Sequence, residues 1–323
     1  MADGTHFDPG RRPALRIALV NNMPDGALQA TERQFSGLIA EAARGDFDVD
    51  LKLHALASVP RGEQAQTVMR GRYADARALM AEGADALIVT GAEPRMADLR
   101  DEPYWDELTA LVDWSRASTV SAIWSCLAAH AAVLHMDGIV RQPLATKCSG
   151  VFTFERAVDD GLVAGLPSLV RIPHSRRNDL PAAQLEASGY RILTSSPRSG
   201  VDIFTRQGAS LFVFLQGHPE YDGDTLLREY CRDVGRYLRG QQRDYPLNPF
   251  GYFDTATERA FRSIAMRARS NPDPNLLREC SEIAQAMRPG RAWRAHAVMM
   301  MRNWLEALAA AKASAEAVAR KSA

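Results

Sequence analysis

The sequence predicts an α/β fold in which helices cover both faces of a mostly parallel sheet. Short apolar runs alternate with segments whose apolar residues recur at helical spacing. In the first half of the chain, the apolar runs end at Asn, Gly, Ser or Pro, as buried parallel strands do before a turn into a helix. A chain of 323 residues is long enough for one such domain with added elements.

The first half of the chain predicts strands and helices in alternation. The strands are expected at 15–20, 49–56, 86–90 and 119–124, and the helices at 28–43, 73–80, 107–114 and 127–134. The first apolar run is followed by Asn21-Asn22-Met23-Pro24, which is a loop sequence, and the run ALIVT stops at Gly91. This order predicts βαβ units, and therefore a parallel sheet.

The second half of the chain predicts short strands followed by helices. Five β-like runs between residues 150 and 213 predict a continuation of the sheet with some antiparallel strands. Helices are expected at 225–238, 255–269, 275–287 and from about 293 onward. The chain is thus divided into a flexible tail at 1–13, an α/β domain at 14–253, a helical insertion at 254–290 and a C-terminal helix at 291–323. The apolar stripe of that last helix predicts packing on the core or a dimer interface.

The composition excludes several classes of protein. Lys and Arg together number 39, as do Asp and Glu, so the formal net charge of +0 gives no field to gather nucleic acid or anionic lipid. The four cysteines are too sparse for a disulfide scaffold and contain no C-x-x-C pair for zinc. The N-terminal region has no apolar stretch long enough for a signal peptide or a membrane span. We therefore expect a reduced, cytoplasmic protein without nucleic acid, membrane or metal.

Cys126 lies between a predicted buried strand and a helix of small residues. This is the position of a nucleophile elbow, where a sharp turn lifts the side chain out of the sheet at the helix N-terminus. The helix dipole and free N–H groups there favour a thiolate and a developing oxyanion. A buried structural cysteine is the alternative interpretation, since free Cys is often buried.

His218 is the candidate base for this thiol, because it follows the apolar run LFVFL in the sequence QGHPEY. Glu220 could orient the imidazole and stabilise its charged form, which completes a Cys/His/acid triad. The alternative for His218 is a loop histidine that bonds to the backbone. His130 is expected to be a packed helix residue, and His174 a loop residue that contacts substrate or makes a local turn.

Several further motifs occur in a fixed order along the chain. They are NNMP at 21–24, TERQF at 31–35, LIVTGA at 87–92, PYW at 103–105, KCSGV at 147–151, PHSR at 173–176 and GHPEYD at 217–222. Together with the Cys126 turn, they resemble the homoserine O-acyltransferase family of methionine biosynthesis, which comprises O-succinyltransferases and O-acetyltransferases. The resemblance covers residues 15–250 and returns at 291–305, and the chain looks like a divergent member.

The resemblance implies a flavodoxin-like core, shared with class I glutamine amidotransferases, and a ping-pong reaction through a cysteine thioester. Cys126 would take the acyl group from acyl-CoA, His218 would act as acid and base, and Glu220 would orient His218. The backbone N–H of Leu127 would help to hold the oxyanion. No bound cofactor is implied, since acyl-CoA is a co-substrate.

The same resemblance implies that Lys147, Ser175 and Arg232 bind the amino-acid substrate, and that the enzyme is a homodimer. Arginine suits the carboxylate of an amino acid because it recognises carboxylates bidentately. Arg95 stands where the family normally has Gly in succinyl users or Glu in acetyl users. An arginine can pair with the free carboxylate of a succinyl group, so succinyl-CoA is the predicted donor and acetyl-CoA the alternative.

Other departures from the family pattern leave the acceptor open. Members normally carry a longer segment before the NNMP motif, and the sequence at 254–290 is extra. L-homoserine is the predicted acceptor, with L-serine or another hydroxy amino acid as the alternative, because one methylene supplies only about 1–3 kcal/mol of discrimination.

Two other functional classes are alternatives to acyl transfer. Glutamine amide hydrolysis would use the same three residue types, although the elbow WSCLA lacks the Gly-x-Cys-x-Gly pattern. A non-catalytic regulatory homologue is disfavoured because all three triad positions are filled.

Overall fold

The computed structural model describes residues 12–322, with side chains described as far as residue 318. Of the tail predicted at 1–13, residues 1–11 lie outside the described part of the chain. No helix among the described residues combines the length and the apolar character that a membrane span requires.

Strands and helices alternate through the first half of the chain, as predicted. They are β1 (Ala14–Val20), α1 (Asp25–Ala43), β2 (Asp48–Ala55), α2 (Glu63–Met69), β3 (Tyr73–Asp75), α3 (Ala76–Glu82), β4 (Ala86–Val89), α4 (Trp105–Ser118), β5 (Ser121–Ser125) and α5 (Leu127–Asp137). The helix predicted at 73–80 is wrong over its first three residues, which pair with β2 as an edge strand. Asp75 ends that strand and caps α3 by accepting the N–H of Arg77.

The second half contains the short strands and the C-terminal helices. They are β6 (Gln142–Arg156), β7 (Leu169–Asp179), α6 (Ala182–Ala187), β8 (Arg191–Ile192), β9 (Thr194–Ser196), β10 (Gly200–Val201), β11 (Ile203–Gln207), β12 (Leu211–Leu215), α7 (Thr225–Leu238), α8 (Thr255–Ser270), α9 (Asn275–Ala286) and α10 (Arg294–Ser322). The four predicted C-terminal helices are confirmed.

The main sheet has eight strands in the order β3-β2-β1-β4-β5-β12-β11-β8. The pairs from β3 to β12 are parallel, and β11 and β8 join antiparallel at one edge. Its strands send alternate side chains to two apolar layers: Ala18 and Val20 enter the layer with α4 and α5, whereas Ile17 and Leu19 enter the layer with α1 and α10. The predicted fold class, a mostly parallel sheet with helices on both faces, is confirmed.

The predicted continuation of the sheet between residues 150 and 213 is only partly right. The strands β6, β7, β9 and β10 form a separate antiparallel sheet in the order β10-β9-β6-β7. The long strands β6 and β7 pair with each other, and Phe152, Phe154, Val170 and Ile172 pack in the same core layer as Ile123 of the main sheet. This hairpin therefore stacks on the sheet, because its apolar side chains are buried there and could not be buried at an edge.

The C-terminal helices pack on this α/β core. Trp304 of α10 is buried, and its indole donates to the Ser121 hydroxyl at 2.9 Å, so this part of the apolar stripe is covered by the chain itself. Met299, by contrast, is 39% exposed. The helices α8 and α9 enclose a third apolar cluster with α7, in which Phe261 and Cys280 are fully buried.

The carboxyl ends of β1, β4, β5 and β12 lie side by side at one edge of the main sheet. Ligands of open α/β sheets bind outside this edge. The segments that follow these strands hold the NNMP motif, the TGA loop, Cys126 and the GHPEYD motif, so the fold gathers the sequence motifs at one place.

Candidate active site

Cys126 occupies a strained turn between β5 and α5. Its φ of 53° is the single positive φ of a non-glycine residue in the described chain. The Cys126 N–H donates to the Leu215 carbonyl at 2.7 Å, and its own carbonyl accepts from Ala129 at 3.0 Å in the first turn of α5. The neighbouring strand and the helix thus hold the backbone, and the thiol stands at the helix N-terminus.

The TGA loop lies directly against this helix start. A Cβ atom at Gly91 would lie 2.5 Å from the Leu127 Cβ and 2.9 Å from the Leu127 N, which is closer than real atoms approach. Only glycine permits this contact between the loop and the first N–H of α5. The sequence assigned Gly91 a sharp turn and missed this close approach, because the signal depends on which helix lies opposite.

The NNMP motif holds the neighbouring loops together. The Thr90 hydroxyl accepts the N–H of Asn22 at 2.8 Å, while the Asn22 amide donates to the Thr90 carbonyl at 3.2 Å. The same side chain accepts the N–H of Leu56 at 3.1 Å. One buried asparagine therefore fixes the exits of β1, β2 and β4 relative to one another.

His218 and Glu220 form a buried pair at the end of β12. The distance from His218 Nδ1 to Glu220 Oε1 is 2.8 Å, and since a carboxylate only accepts, Nδ1 carries the hydrogen. The His218 N–H donates to the Pro173 carbonyl at 2.8 Å, and the imidazole stacks on Tyr221 with ring centres 4.3 Å apart. These contacts fix the ring and leave Nε2 for the reacting groups.

The pKa of His218 is raised well above its ordinary value. Burial alone would lower this pKa, but the charges of Glu220 and Cys126 and hydrogen bonds to both outweigh it. The imidazole is thus hydrogen-bonded to Glu220 through Nδ1, and it shares the cavity with the Cys126 thiol, whose charge favours the protonated ring. This is the connectivity that a Cys/His/acid triad requires.

A cavity of about 350 Å³ contains this triad. Seven of the eight predicted site residues line it: Cys126, Leu127, Lys147, Ser175, His218, Glu220 and Arg232. The eighth, Arg95, is exposed and lines an adjoining cavity of about 240 Å³. A larger groove of about 1120 Å³ runs between β6 and α8, but neither Cys126 nor His218 lines it, so we place the chemistry in the smaller cavity.

Asp233 is a candidate-site residue that the sequence did not single out. Its buried carboxylate accepts from Lys147 Nζ at 2.8 Å and from Arg232 Nε at 3.0 Å. Burial would raise the pKa of Asp233, but the two cations lower it below its ordinary value. One carboxylate thus positions both cationic side chains that were predicted to bind substrate. The sequence could have shown only an acid beside Arg232.

His174 and His130, the two other histidines considered from the sequence, have supporting positions. His174 is completely buried, stacks on Phe154 and lies 3.2 Å from Asp202 Oδ1, which also accepts the N–H of Gly217. It therefore supports the loop of His218 and does not line the cavity. His130 does line the cavity, and burial lowers its pKa to about 3, so it is neutral and bonds to Gln216 at 2.8 Å.

The three remaining cysteines lack the surroundings that Cys126 has at the start of α5. Burial raises the pKa of the Cys148 thiol, and it raises those of Cys231 and Cys280 to about 11 and about 12. Such thiols are poor nucleophiles at neutral pH. Within residues 12–322, no three His, Cys, Asp or Glu side chains are grouped in a way that could hold a metal ion.

Comparisons with known proteins agree with the motifs. The family model described as homoserine O-succinyltransferase matches residues 10–314. The chain is 51% identical over 304 residues to a homoserine O-succinyltransferase of Rhodopseudomonas palustris, with 93% of this chain and 91% of the relative covered. It is 48% identical over 295 residues to one of Bradyrhizobium japonicum, with 91% and 90% covered.

The fold is also similar to that of a solved glutamine amido transferase from Methylobacillus flagellatus. The TM-score is 0.51 at 15% identity, with 92% of this chain and 96% of that chain covered. This similarity concerns the fold alone and confirms the amidotransferase-like fold class.

The match of the family model and the identity to its curated members, over nearly the whole chain, identify the family that the motifs had indicated. The chain belongs to the homoserine O-succinyltransferase family of enzymes.

Proposed function

We propose that this enzyme transfers a succinyl group from succinyl-CoA to the hydroxyl of L-homoserine through a thioester on Cys126. The observation that supports the proposal is that Cys126 lines one cavity with His218 and Glu220, and that His218 Nδ1 is hydrogen-bonded to Glu220 at 2.8 Å. Acetyl-CoA as donor and L-serine as acceptor remain the alternatives within the same chemistry.

In the first half-reaction, the Cys126 thiolate attacks the carbonyl carbon of the acyl-CoA thioester. The C–S bond to CoA breaks as the bond to Cys126 forms, and protonated His218 gives its proton to the leaving CoA sulfur. The Leu127 N–H, at the N-terminus of α5, would stabilise the negative oxygen of the tetrahedral intermediate. All these groups belong to the protein, so the step needs no bound cofactor.

In the second half-reaction, His218 accepts the proton of the homoserine hydroxyl as this oxygen attacks the thioester carbonyl. The C–S bond to Cys126 then breaks, which releases the O-succinyl product and restores the Cys126 thiolate beside protonated His218. Acylation of Cys126 favours the neutral form of His218, which is the form that can accept this proton. The Cys126 charge helps to raise the His218 pKa, and this charge disappears once the sulfur is acylated. The pKa of His218 therefore falls when a neutral imidazole is needed.

The acceptor would bind on the α7 side of the cavity. Lys147 and Arg232, held by Asp233, supply positive charge for the homoserine carboxylate, and Ser175 supplies a hydroxyl nearby. Glu229 suits the ammonium group, because its Oε2 is buried without a hydrogen-bond partner and the residue lines the same cavity. This arrangement supports an amino acid as acceptor.

The proposal is tested by mixing the enzyme with succinyl-CoA in the absence of any amino acid. We expect one succinyl group on Cys126 by intact-mass and peptide-mass spectrometry, and one equivalent of free CoA. Cys126→Ser is expected to abolish the thioester and the CoA burst, whereas Cys231→Ser, which lies outside the cavity, retains both. Absence of adduct and of free CoA with both succinyl-CoA and acetyl-CoA would contradict the proposal.

A matrix of donors and acceptors then separates the alternatives. Succinyl-CoA and acetyl-CoA are each combined with L-homoserine and L-serine, and CoA release is measured. Ammonia release from glutamine would instead favour amide hydrolysis, and full cellular function of Cys126→Ser would favour a regulatory role.

We also propose that the enzyme is a cytoplasmic homodimer with small-molecule substrates only. Sedimentation equilibrium tests the dimer, and cell fractionation tests the location.

A further inference from the structure

The cationic side chains of the catalytic cavity differ in whether they already have partners. Six of them line it: Arg141, Lys147, Arg176, Arg177, Arg232 and Arg236. Lys147 and Arg232 bind Asp233, and Arg236 lies 2.9 Å from Glu93. Arg176 is enclosed by Asp179 and backbone carbonyls. Among the described residues, the guanidinium groups of Arg141 and Arg177 alone in this set have neither a hydrogen bond nor an ion pair, and Arg177 is exposed.

Arg141 is the half-buried member of that unpaired set. Its Nη1 is inaccessible to solvent and has no hydrogen-bond partner. The chain brings it there because Gly138 ends α5 with a φ of 68° and Ile139 then anchors the following loop in the core. A buried guanidinium nitrogen without an acceptor is costly, so this side of the cavity favours an anion.

The electrostatic neighbours of Arg141 support that interpretation. Its charge interacts with those of Glu102 and Cys126, and although burial lowers the pKa of Arg141, an arginine stays charged. Glu102 Oε1 accepts the N–H groups of Arg95 and Met96 at 2.5 Å and 2.7 Å, and its buried Oε2 has no hydrogen-bond partner. No ion pair joins Glu102 to Arg141 in the described chain. Arg141 thus lines the same cavity as Cys126 and has an unused donor at Nη1.

We propose that Arg141 binds the free carboxylate of the succinyl group while its carbonyl is attached to Cys126. This inference rests on the proposed function. A succinyl group carries its carboxylate two methylene groups beyond the carbonyl carbon, so a cation in the same cavity as the thiol is what this donor requires. Arginine is suited to this role because its planar guanidinium donates two parallel hydrogen bonds to a carboxylate. Arg95, the residue that the sequence predicted for this role, lies outside this cavity.

The experiment compares succinyl-CoA with butyryl-CoA, in which a methyl group replaces the carboxylate at the same chain length. We expect Arg141→Gln to lower kcat/KM for succinyl-CoA by about tenfold to a hundredfold, as loss of a charge-assisted hydrogen-bond pair does, with butyryl-CoA changed less than about twofold. Arg141→Lys should keep part of the preference, since it keeps the charge. Arg77→Gln, on the exposed surface of α3, is the matched control.

Each other outcome overturns the assignment. An equal loss with both donors means that Arg141 supports the loop structurally, for instance through Glu102. An unchanged ratio in both Arg141 variants, or a shifted ratio in Arg95→Gln alone, excludes Arg141 as the carboxylate site. Arg141→Lys keeps the test valid if Arg141→Gln fails to fold. If the wild-type enzyme forms a Cys126 adduct but the ratio does not move, only the Arg141 assignment fails; if no adduct forms, the proposed function fails with it.

Discussion

At the scale of single residues, the site depends on how His218 is charged. Glu220 and Cys126 both favour its protonated form, and they do so against complete burial, which favours the neutral form. In the proposed mechanism the imidazole must first donate a proton and later accept one. A base whose pKa depends on the charge of the nucleophile can do both, because acylation removes that charge.

The pKa of His218 should therefore fall when either partner loses its negative charge. We expect a lower pKa in Cys126→Ser and also in Glu220→Gln, because each variant removes one of the interactions that stabilise the imidazolium. The measurement is an NMR titration of the imidazole nitrogens, with His218→Asn to identify the signal. His54, buried on β2, serves as the internal reference. A His218 titration unaltered in both variants would show that neither charge controls its protonation.

The triad could be predicted from sequence because each member follows an apolar run. Parallel strands bring their carboxyl ends together, so Cys126 after β5 and His218 after β12 had to meet if the strands were neighbours. Asp233 and Arg141 could not be found this way. Asp233 is significant because two cations converge on it, and Arg141 because it has no partner. Both properties arise from residues distant in sequence.

At the scale of elements, the helices α8 and α9 support α7, which carries residues that we propose to bind the acceptor. Phe261 of α8 is fully buried and packs edge-on against Tyr230 of α7, with ring centres 5.0 Å apart. Tyr230 in turn donates to Asn248 at 2.8 Å. Because Arg232 and Asp233 follow Tyr230 on the same helix, the position of α7 sets the positions of the groups proposed to bind the acceptor.

Phe261→Ala should weaken both the fold and the binding of the acceptor. Truncation of a buried Phe costs about 3–5 kcal/mol, since it leaves a cavity that the neighbours fill only partly. We expect that loss in urea unfolding, and a raised KM for homoserine with a smaller change in KM for the acyl donor. Arg259→Ala, exposed on the same helix, is the control and should leave both quantities nearly unchanged. A destabilised variant with an unaltered KM for homoserine would show that packing of α8 does not affect acceptor binding.

The helices were predictable where one face is apolar, and α7 spans the predicted residues 225–238. The short edge strand β3 was not, because Tyr73–Asp75 is a strand only through its pairing with β2. The stacking of β6 and β7 on the sheet was missed for a related reason. Strand patterns such as that around Phe152 show that a face is buried, but not which sheet the strand joins.

At the scale of the whole molecule, Asp85 joins the first strand, the sheet and the last helix. Its Oδ2 accepts the N–H of Arg16 on β1 at 2.8 Å and Nζ of Lys312 on α10 at 2.7 Å. Lys312 also donates to the Ala14 carbonyl at 2.8 Å. Asp85 and Lys312 could not be singled out from the sequence, because their contact joins positions 227 residues apart.

Asp85→Asn should remove stability that depends on pH. Burial would raise the pKa of Asp85, but hydrogen bonds from Arg16 and Lys312 lower it below its ordinary value. A carboxylate with a lowered pKa contributes stability above its unfolded pKa of about 4, and this contribution is lost as the pH falls through the folded value. We expect Asp85→Asn to cost about 1.5–3 kcal/mol at pH 7, as hydrogen bonds to a charged group do, and progressively less in acid.

Urea unfolding of both proteins at a series of pH values between neutrality and the acid limit measures this difference. The control is Asp159→Asn, whose carboxylate is 97% exposed and pairs with Arg156 at 3.5 Å, and which should cost less than about 0.5 kcal/mol. Because wild type and variant share every other carboxylate, their difference isolates Asp85 from the general acid denaturation of the protein. A difference of the same size at every pH would mean that packing around residue 85, and not its negative charge, holds the chain ends together.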